Sequence, residues 1–220
     1  SSCNGTMNMY GGLFDEVSGV QMGMGGSTSH FNLNGGTVRA LTFTGNTGTE
    51  YLYFNGGVFQ PIGNGYTLTG LNYATVSTNG AIFDTSLTGA AGYGINQILL
   101  HDSALGSTAD GGLVKLGAGL LIMKSVINTY SGLTRVSNGV LRAEGTGLRH
   151  TEVRVSPGAT VQVDDFSAAA YVKNLVLGES GNASPAFLDL PVNATTLQYA
   201  GLMVTNALTA YQVQVGFHPQ

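Results

Sequence analysis

Charge is what this chain has least of. Of its 220 residues, 8 are Lys or Arg and 12 are Asp or Glu, so charged side chains make up 9%, against roughly a quarter in a typical soluble domain. The basic residues are scattered, which excludes the clustered positive face that nucleic acid requires. Tryptophan is absent, and the one cysteine, Cys3, has no partner for an intrachain disulfide. Few cysteines suit a secreted protein that does not rely on cross-links. No run of residues is long enough to span a membrane, and no export signal is present; an extracellular or outer-surface chain would have had its signal removed. Helix signals are nearly missing as well. No long stretch places apolar residues at 3.6 spacing, and the best candidate, "FSAAAYV" from Phe166 to Val172, makes only about two turns.

Glycine and short apolar segments take the place of these missing features. Glycine numbers 34 of 220, about twice its usual share of roughly 7%. Segments such as "TVRALTF", "EYLYFN", "LLIM", "VLRA", "TVQVD" and "YQVQVGF" are each rich in Val, Leu, Thr, Tyr or Phe. Gly, Asn, Ser or Pro bounds each one, as expected of short strands. The turn signals recur: "NMYGG", "NLNGG", "YFNGG" and "STNGA" end 24, 21 and 24 residues apart. Further on come "DGG" at Gly112, "SNGV" at Val140 and "SPGA" at Ala159, the last two ending 19 residues apart. Self-similarity at a nearly constant period points to stacked repeats.

The reading is an all-β, right-handed parallel β-helix of roughly eight to ten coils, with about 20–24 residues per coil and three short strands in each. A β-sandwich or jelly roll is the runner-up. Coils stack about 4.8 Å apart, with Val, Leu, Ile, Phe and Met inward and their neighbours outward. Asn and Gly supply the left-handed conformations of the corners. Residues 1–165 read as the solenoid coils, and 166–220 as a C-terminal β-strand region acting as a cap or an inter-subunit strand.

One stretch is more specific. From Gly111 to Ala143 the chain reads "GGLVKLGAGLLIMKSVINTYSGLTRVSNGVLRA". Gly111, Gly112, Leu113, Lys115, Gly117, Gly119, Leu121 and Met123 are followed at fixed spacing by Asn128, Thr129, Tyr130, Gly132, Thr134, Val136, Gly139 and Leu141. This pattern resembles the autotransporter-associated β-strand repeat, also called the passenger-associated transport repeat. The resemblance implies a β-helical protein of the bacterial surface or exterior. It gives Gly111, Gly112, Lys115, Gly117, Gly119, Asn128, Tyr130, Gly132 and Gly139 structural roles in the repeat, with no catalytic residue among them. The chain departs from the pattern at "LLIMKSVIN", where Leu120, Ile122, Val126 and Ile127 are apolar; on an outer face they would form a contact surface.

Catalytic signatures are thin. Asp164–Asp165 and Asp15–Glu16 are adjacent acidic pairs, and neighbours on a strand point to opposite faces, so neither pair serves one substrate as a hydrolase requires. His30, His101, His150 and His218 have no metal-ligand spacing. His101-Asp102-Ser103 is consecutive, whereas triad members converge from separate places. The glycine run "GAAGYGIN" precedes no helix, so it is no nucleotide loop. We therefore expect no catalytic residue, no cofactor and no metal.

Two surfaces remain. Tyr51 and Tyr53 share a strand face beside Phe54 and could offer a platform to sugar rings. The two ends of a β-helix carry open strand edges; Met7 and Met9 lie at one, and Tyr211, Val213, Val215 and Phe217 alternate with glutamines at the other. The expected function is structural: a secreted surface protein or filament subunit assembling head to tail with itself. The alternatives are an adhesin that binds glycans or other surface proteins, and, less favoured, a polysaccharide hydrolase or lyase. Neither nucleic acid nor membrane insertion of this segment enters.

Overall fold

Each short apolar segment is a strand, and nearly every strand lies parallel to the one a coil earlier, in a β-solenoid of about eight turns. The structure, a computed structural model, describes residues 4–124, 127–163, 170–193, 198–199 and 202–219. Three faces wind around one core. On the first face, the leading parts of Gly5–Asp15 and Thr28–Ala40 are followed by Thr49–Phe54, Tyr73–Val76 and Leu99–His101. On the second, their trailing parts are followed by Val58–Pro61, Ala81–Asp84, Leu113–Leu116, Thr134–Val136, Leu148–Val155, Ala170–Leu177 and Leu202–Ala210. The third face runs through Thr67–Leu68, Tyr93–Ile95, Leu120–Met123, Val140–Ala143, Thr160–Val163, Ala186–Asn193 and Val213–Pro219. Long strands such as Thr28–Ala40 turn the first corner without a break and join the first two faces into one sheet. Among the described residues the exception to parallel pairing is Gln198–Tyr199, antiparallel to the end of Ala186–Asn193.

Alternation decides what is inside. Along Thr49–Phe54 every second residue, Glu50, Leu52 and Phe54, is buried while Thr49, Tyr51 and Tyr53 face outward. The recurring Asn-Gly signals fall on two different corners. "NGG" at Gly36 and Gly57, "NGA" at Ala81 and "DGG" at Gly112 join the first face to the second, whereas "SNG" at Gly139 and "SPG" at Gly158 join the second to the third. At the first corner the asparagines stack. Asn55 Nδ2 donates to Asn34 Oδ1 at 3.1 Å and Asn79 Nδ2 to Asn55 Oδ1 at 3.0 Å.

The helical expectation at Phe166–Val172 fails where it is described. Ala170–Val172 opens a strand, with Val172 paired to Leu148 on one side and Val204 on the other. Ladder bonds on two sides override the helix preference of alanine. The rest of that segment, 166–169, lies outside the described residues, as do Cys3, Val126, Asp164 and Asp165. The helical structure that is described is two single 3₁₀ turns, Met24–Gly26 and Ser103–Leu105.

Candidate functional site

The coil from Gly111 to Ala143 is built around buried polar groups that tie it to its neighbours. Lys115 lies on an inward position, between Phe83 and Val136 in register, and its side chain is fully buried. Its Nζ donates to the carbonyls of Leu116 at 2.9 Å, Gly117 at 2.6 Å and Asn138 at 2.8 Å. The long stem runs through the core and the ammonium closes the second corner of two successive coils from within. Burial pushes its pKa down, to about 8, with Asp84 opposing. Gly117 and Gly119 form that corner, and Gly139 repeats it one coil on.

Asn128 performs the same work at the first face. Its Oδ1 accepts from the Leu99 amide at 2.8 Å and its Nδ2 donates to the Gly147 carbonyl at 2.7 Å, so one buried side chain spans three coils. Tyr130 is buried, with its hydroxyl 2.7 Å from Thr134 Oγ1, which in turn lies 3.0 Å from Thr151 Oγ1. Burial pushes the Tyr130 hydroxyl far above its ordinary pKa. At the first corner, Gly111, Gly112 and Gly132 bring backbones of adjacent coils together. Gly112 has a φ of 70°, and a Cβ there would fall 2.6 Å from the Leu133 amide nitrogen. No other residue satisfies both demands.

Asp110 replaces the stacked asparagines at this corner, and the structure brings to it two residues that are distant in sequence. Its Oδ1 accepts from the Gly112 and Gly132 amides, each at 2.9 Å. Its Oδ2 accepts from the Ser131 amide at 2.8 Å and faces His101 Nδ1 at 2.7 Å. Ser131 Oγ stands 3.2 Å from the same oxygen and 3.3 Å from the same ring nitrogen, while His101 Nε2 faces the Gly106 carbonyl at 3.1 Å. Both ring nitrogens therefore meet acceptors, which calls for an imidazolium. The carboxylate of Asp110 and the Gly106 carbonyl raise the His101 pKa, against desolvation. Burial pushes Asp110 up, but bonds from His101, Ser131, Gly132 and Gly112 outweigh it and hold the carboxyl below its ordinary value. Serine, histidine and aspartate meet here in the wrong order for nucleophilic catalysis. Serine and aspartate share one nitrogen, and no lone pair faces the hydroxyl. The cluster is a corner clasp. Asp102, next to His101 in the chain, instead takes a bond from Ser77 Oγ at 2.6 Å.

The other sequence candidates separate. Asp15 pairs with Arg39 at 3.0 Å while Glu16 accepts from Ser18, so the two carboxylates share no groove. Tyr51 and Tyr53 do lie on one outward face, and Phe54 points inward. Coil stacking adds two residues that spacing alone did not reveal. His30 stacks on Tyr51 at 4.5 Å and 5°, and Tyr51 on Tyr73 at 4.7 Å and 6°. Near-parallel rings one coil apart cover each other's faces, so this ladder offers edges to solvent rather than the open face that a sugar ring stacks on. In the "LLIMKSVIN" departure, Ile127 is exposed but Ile122 is covered, held in register between Gly94 and Arg142.

At the ends, Met7 and Met9 pair with Phe31 and Leu33 and belong to the inward row. Met9 is buried, and Met7 is 38% exposed because no coil is described beyond it. Met7, Phe14, Val20, Met22 and Phe31 line an open mouth of about 310 Å³. At the far end Val213 and Val215 pair with Ala186 and Leu188, again on the inward row, and Val215 is 51% exposed, as is Tyr211. Phe217 pairs with Leu190 in the same strand. Among the described residues no three His, Cys, Asp or Glu side chains gather to hold a metal, and no helix is long and apolar enough to cross a membrane.

Comparison with known proteins adds one match. Residues 113–143 match the family model of the passenger-associated-transport-repeat, which is the coil that Lys115 and Asn128 tie to its neighbours. No curated protein and no solved structure matches the chain.

Proposed function

The chain carries a passenger-associated transport repeat within a parallel β-solenoid, and we propose that it is a structural protein of the cell exterior that stacks end to end on copies of itself. The repeat suggests a surface-exposed, extracellular setting. The assembly rests on one observation: both ends expose the inward row of a coil. Met7 is 38% exposed at one end, and Leu208 and Val215 are 61% and 51% exposed at the other. Among the described residues Gly5–Asp15 pairs on one side only, as do Leu202–Ala210 and Val213–Pro219. Soluble proteins blunt such edges with charge; here no Asp, Glu, Lys or Arg lies from Gly5 to Phe14 or from Leu202 to Phe217. One end seated on the other continues all three faces in parallel. Such a contact does not close on itself and builds a filament.

We assign no catalysis to the chain. The commitment of both His101 nitrogens to the corner supports this reading. Electron microscopy of the purified protein tests the assembly. Fibres with an axial rise of about 40 Å per subunit are expected, from coils about 4.8 Å apart. Val215→Lys is expected to abolish them without changing the β-sheet circular dichroism. A protein that stays monomeric at every concentration, with no fibres, rejects the proposal.

A further inference from the structure

The outward row of the second face carries an arginine pair that the fold itself does not explain. In register this row reads Val58, Ile82, Val114, Arg135, Arg154, Val176 and Thr209. Its neighbours on both sides are uncharged, and the chain has only 8 basic residues, yet two of them are direct cross-strand partners. Like charges in register, on strands about 4.8 Å apart, destabilise a sheet. Among the described residues the relief is one-sided, since a carboxylate pairs with Arg154 and none pairs with Arg135. Arg154 Nε donates to Glu152 at 2.6 Å, which leaves the other edge of its guanidinium open. Among the described residues no side-chain hydrogen bond or ion pair involves Arg135. Elsewhere on this face the polar rows are matched, as in the ladder from Asp15 through Arg39 and Gln60 to Asp84.

Beside the pair, a groove of about 430 Å³ opens along the side of the solenoid. Arg135, Arg154, Ser156, Glu179, Ser180 and Tyr211 are among the residues that line it. Its size is that of a small-ligand cleft. Unlike the rings of the His30–Tyr51–Tyr73 ladder, Tyr211 stacks on no other aromatic ring among the described residues and is half exposed.

We propose that this groove binds a carboxylate-bearing saccharide. Two guanidinium groups on adjacent coils meet the carboxylate, the serine hydroxyls and Glu179 meet sugar hydroxyls, and Tyr211 lies against the ring. Planar guanidinium forks match a carboxylate, and an anion between the two arginines removes their repulsion. Glu179 and Glu152 set the net charge near neutral, which disfavours dense polyanions and suits one carboxylate per sugar. The groove lies on the flank of the solenoid, so its occupation does not depend on end-to-end assembly, which the microscopy reads separately.

Calorimetric titration of the intact chain with trigalacturonate tests this, with neutral galactotriose and a heparin oligosaccharide alongside. The uronate is expected to bind at least 10-fold more tightly than the other two. Arg135→Ala with Arg154→Ala is expected to abolish binding, Arg135→Lys with Arg154→Lys to weaken it at least 3-fold, and Arg39→Ala to leave it unchanged. Circular dichroism checks that each variant is folded. Uronate binding no tighter than galactotriose overturns the proposal, as does binding that survives the double alanine change. Heparin bound as tightly as the uronate overturns the carboxylate assignment.

Discussion

The coils between Thr28 and Ile95 and those between Leu113 and Val163 wind in the same way but are held by different means. The first group has an aromatic core: Phe31 meets Phe43 at 5.0 Å, Phe43 meets Phe59 at 5.1 Å, and Phe59 meets Phe83 and Tyr93 at 5.9 and 5.5 Å. In the second group the core is Val136, Leu141, Ala143, Val153, Val155 and Val161, with Tyr130 as its buried aromatic residue. Coil length does not separate the groups: Thr28 pairs with Thr49 over 21 residues in the first, and Leu113 with Thr134 over 21 in the second. In the second group the corner carbonyls are met from inside by Lys115 and Asn128, whereas the first group ties its first corner with stacked asparagines. The first group thus relies on aromatic apolar area, and the second on buried polar staples.

Substitutions in the two groups put this comparison at risk. Phe59→Ala removes the ring that touches three others, and is expected to cost about 3–5 kcal/mol in urea unfolding. Lys115→Ala strands corner carbonyls that have lost a charged donor and is expected to cost about 3 kcal/mol; Lys115→Met keeps the stem and is expected to cost less. A Lys115→Ala loss below about 1 kcal/mol would show that apolar packing holds the second group too. Asn128→Ala leaves the Leu99 amide and the Gly147 carbonyl buried without partners, at a cost of about 2 kcal/mol. Asn55→Ala, in the outer ladder, is expected to cost no more than about 0.5 kcal/mol. Equal costs at the two asparagines would remove the distinction between internal and external ties.

The smallest effect belongs to the clasp at Asp110. Folding raises the His101 pKa, so its contribution is complete below the unfolded value of about 6.5 and is lost as pH rises through the folded value. Folding lowers the Asp110 pKa, so its contribution is complete above about 3.9 and is lost as pH falls through the folded value. Both are present together between about pH 4 and 6.5. The Tm difference between the wild type and His101→Gln is expected to be about 1–2 °C at pH 5.5 and to shrink by pH 8. A difference that does not change with pH would mean that the ring holds the corner by shape alone.

Much of this architecture is legible along the chain. The 24, 21 and 24 spacing of the Asn-Gly signals reappears as the coil length at the first corner, because each signal must return to the same corner once per turn. The repeat residues could be placed by spacing, but the direction of Lys115 could not. A lone lysine among apolar residues reads as a surface charge until register puts it opposite Phe83 and Val136. Likewise the signals at Gly139 and Gly158 look continuous with the earlier ones, although they turn a different corner.

Local chemistry alone determined the low charge, the short alternating strands, the glycine corners and hence the solenoid, since period 2 and left-handed turns are properties of neighbours in sequence. Tertiary structure alone decided which residues meet across coils: His101 with Asp110 and Ser131, His30 with Tyr51 and Tyr73, Arg135 with Arg154. Those meetings depend on the length of every intervening loop. One residue more or fewer shifts the register and turns each side chain to the opposite face, so a sum over the whole coil, rather than any single motif, sets the surface that the protein presents.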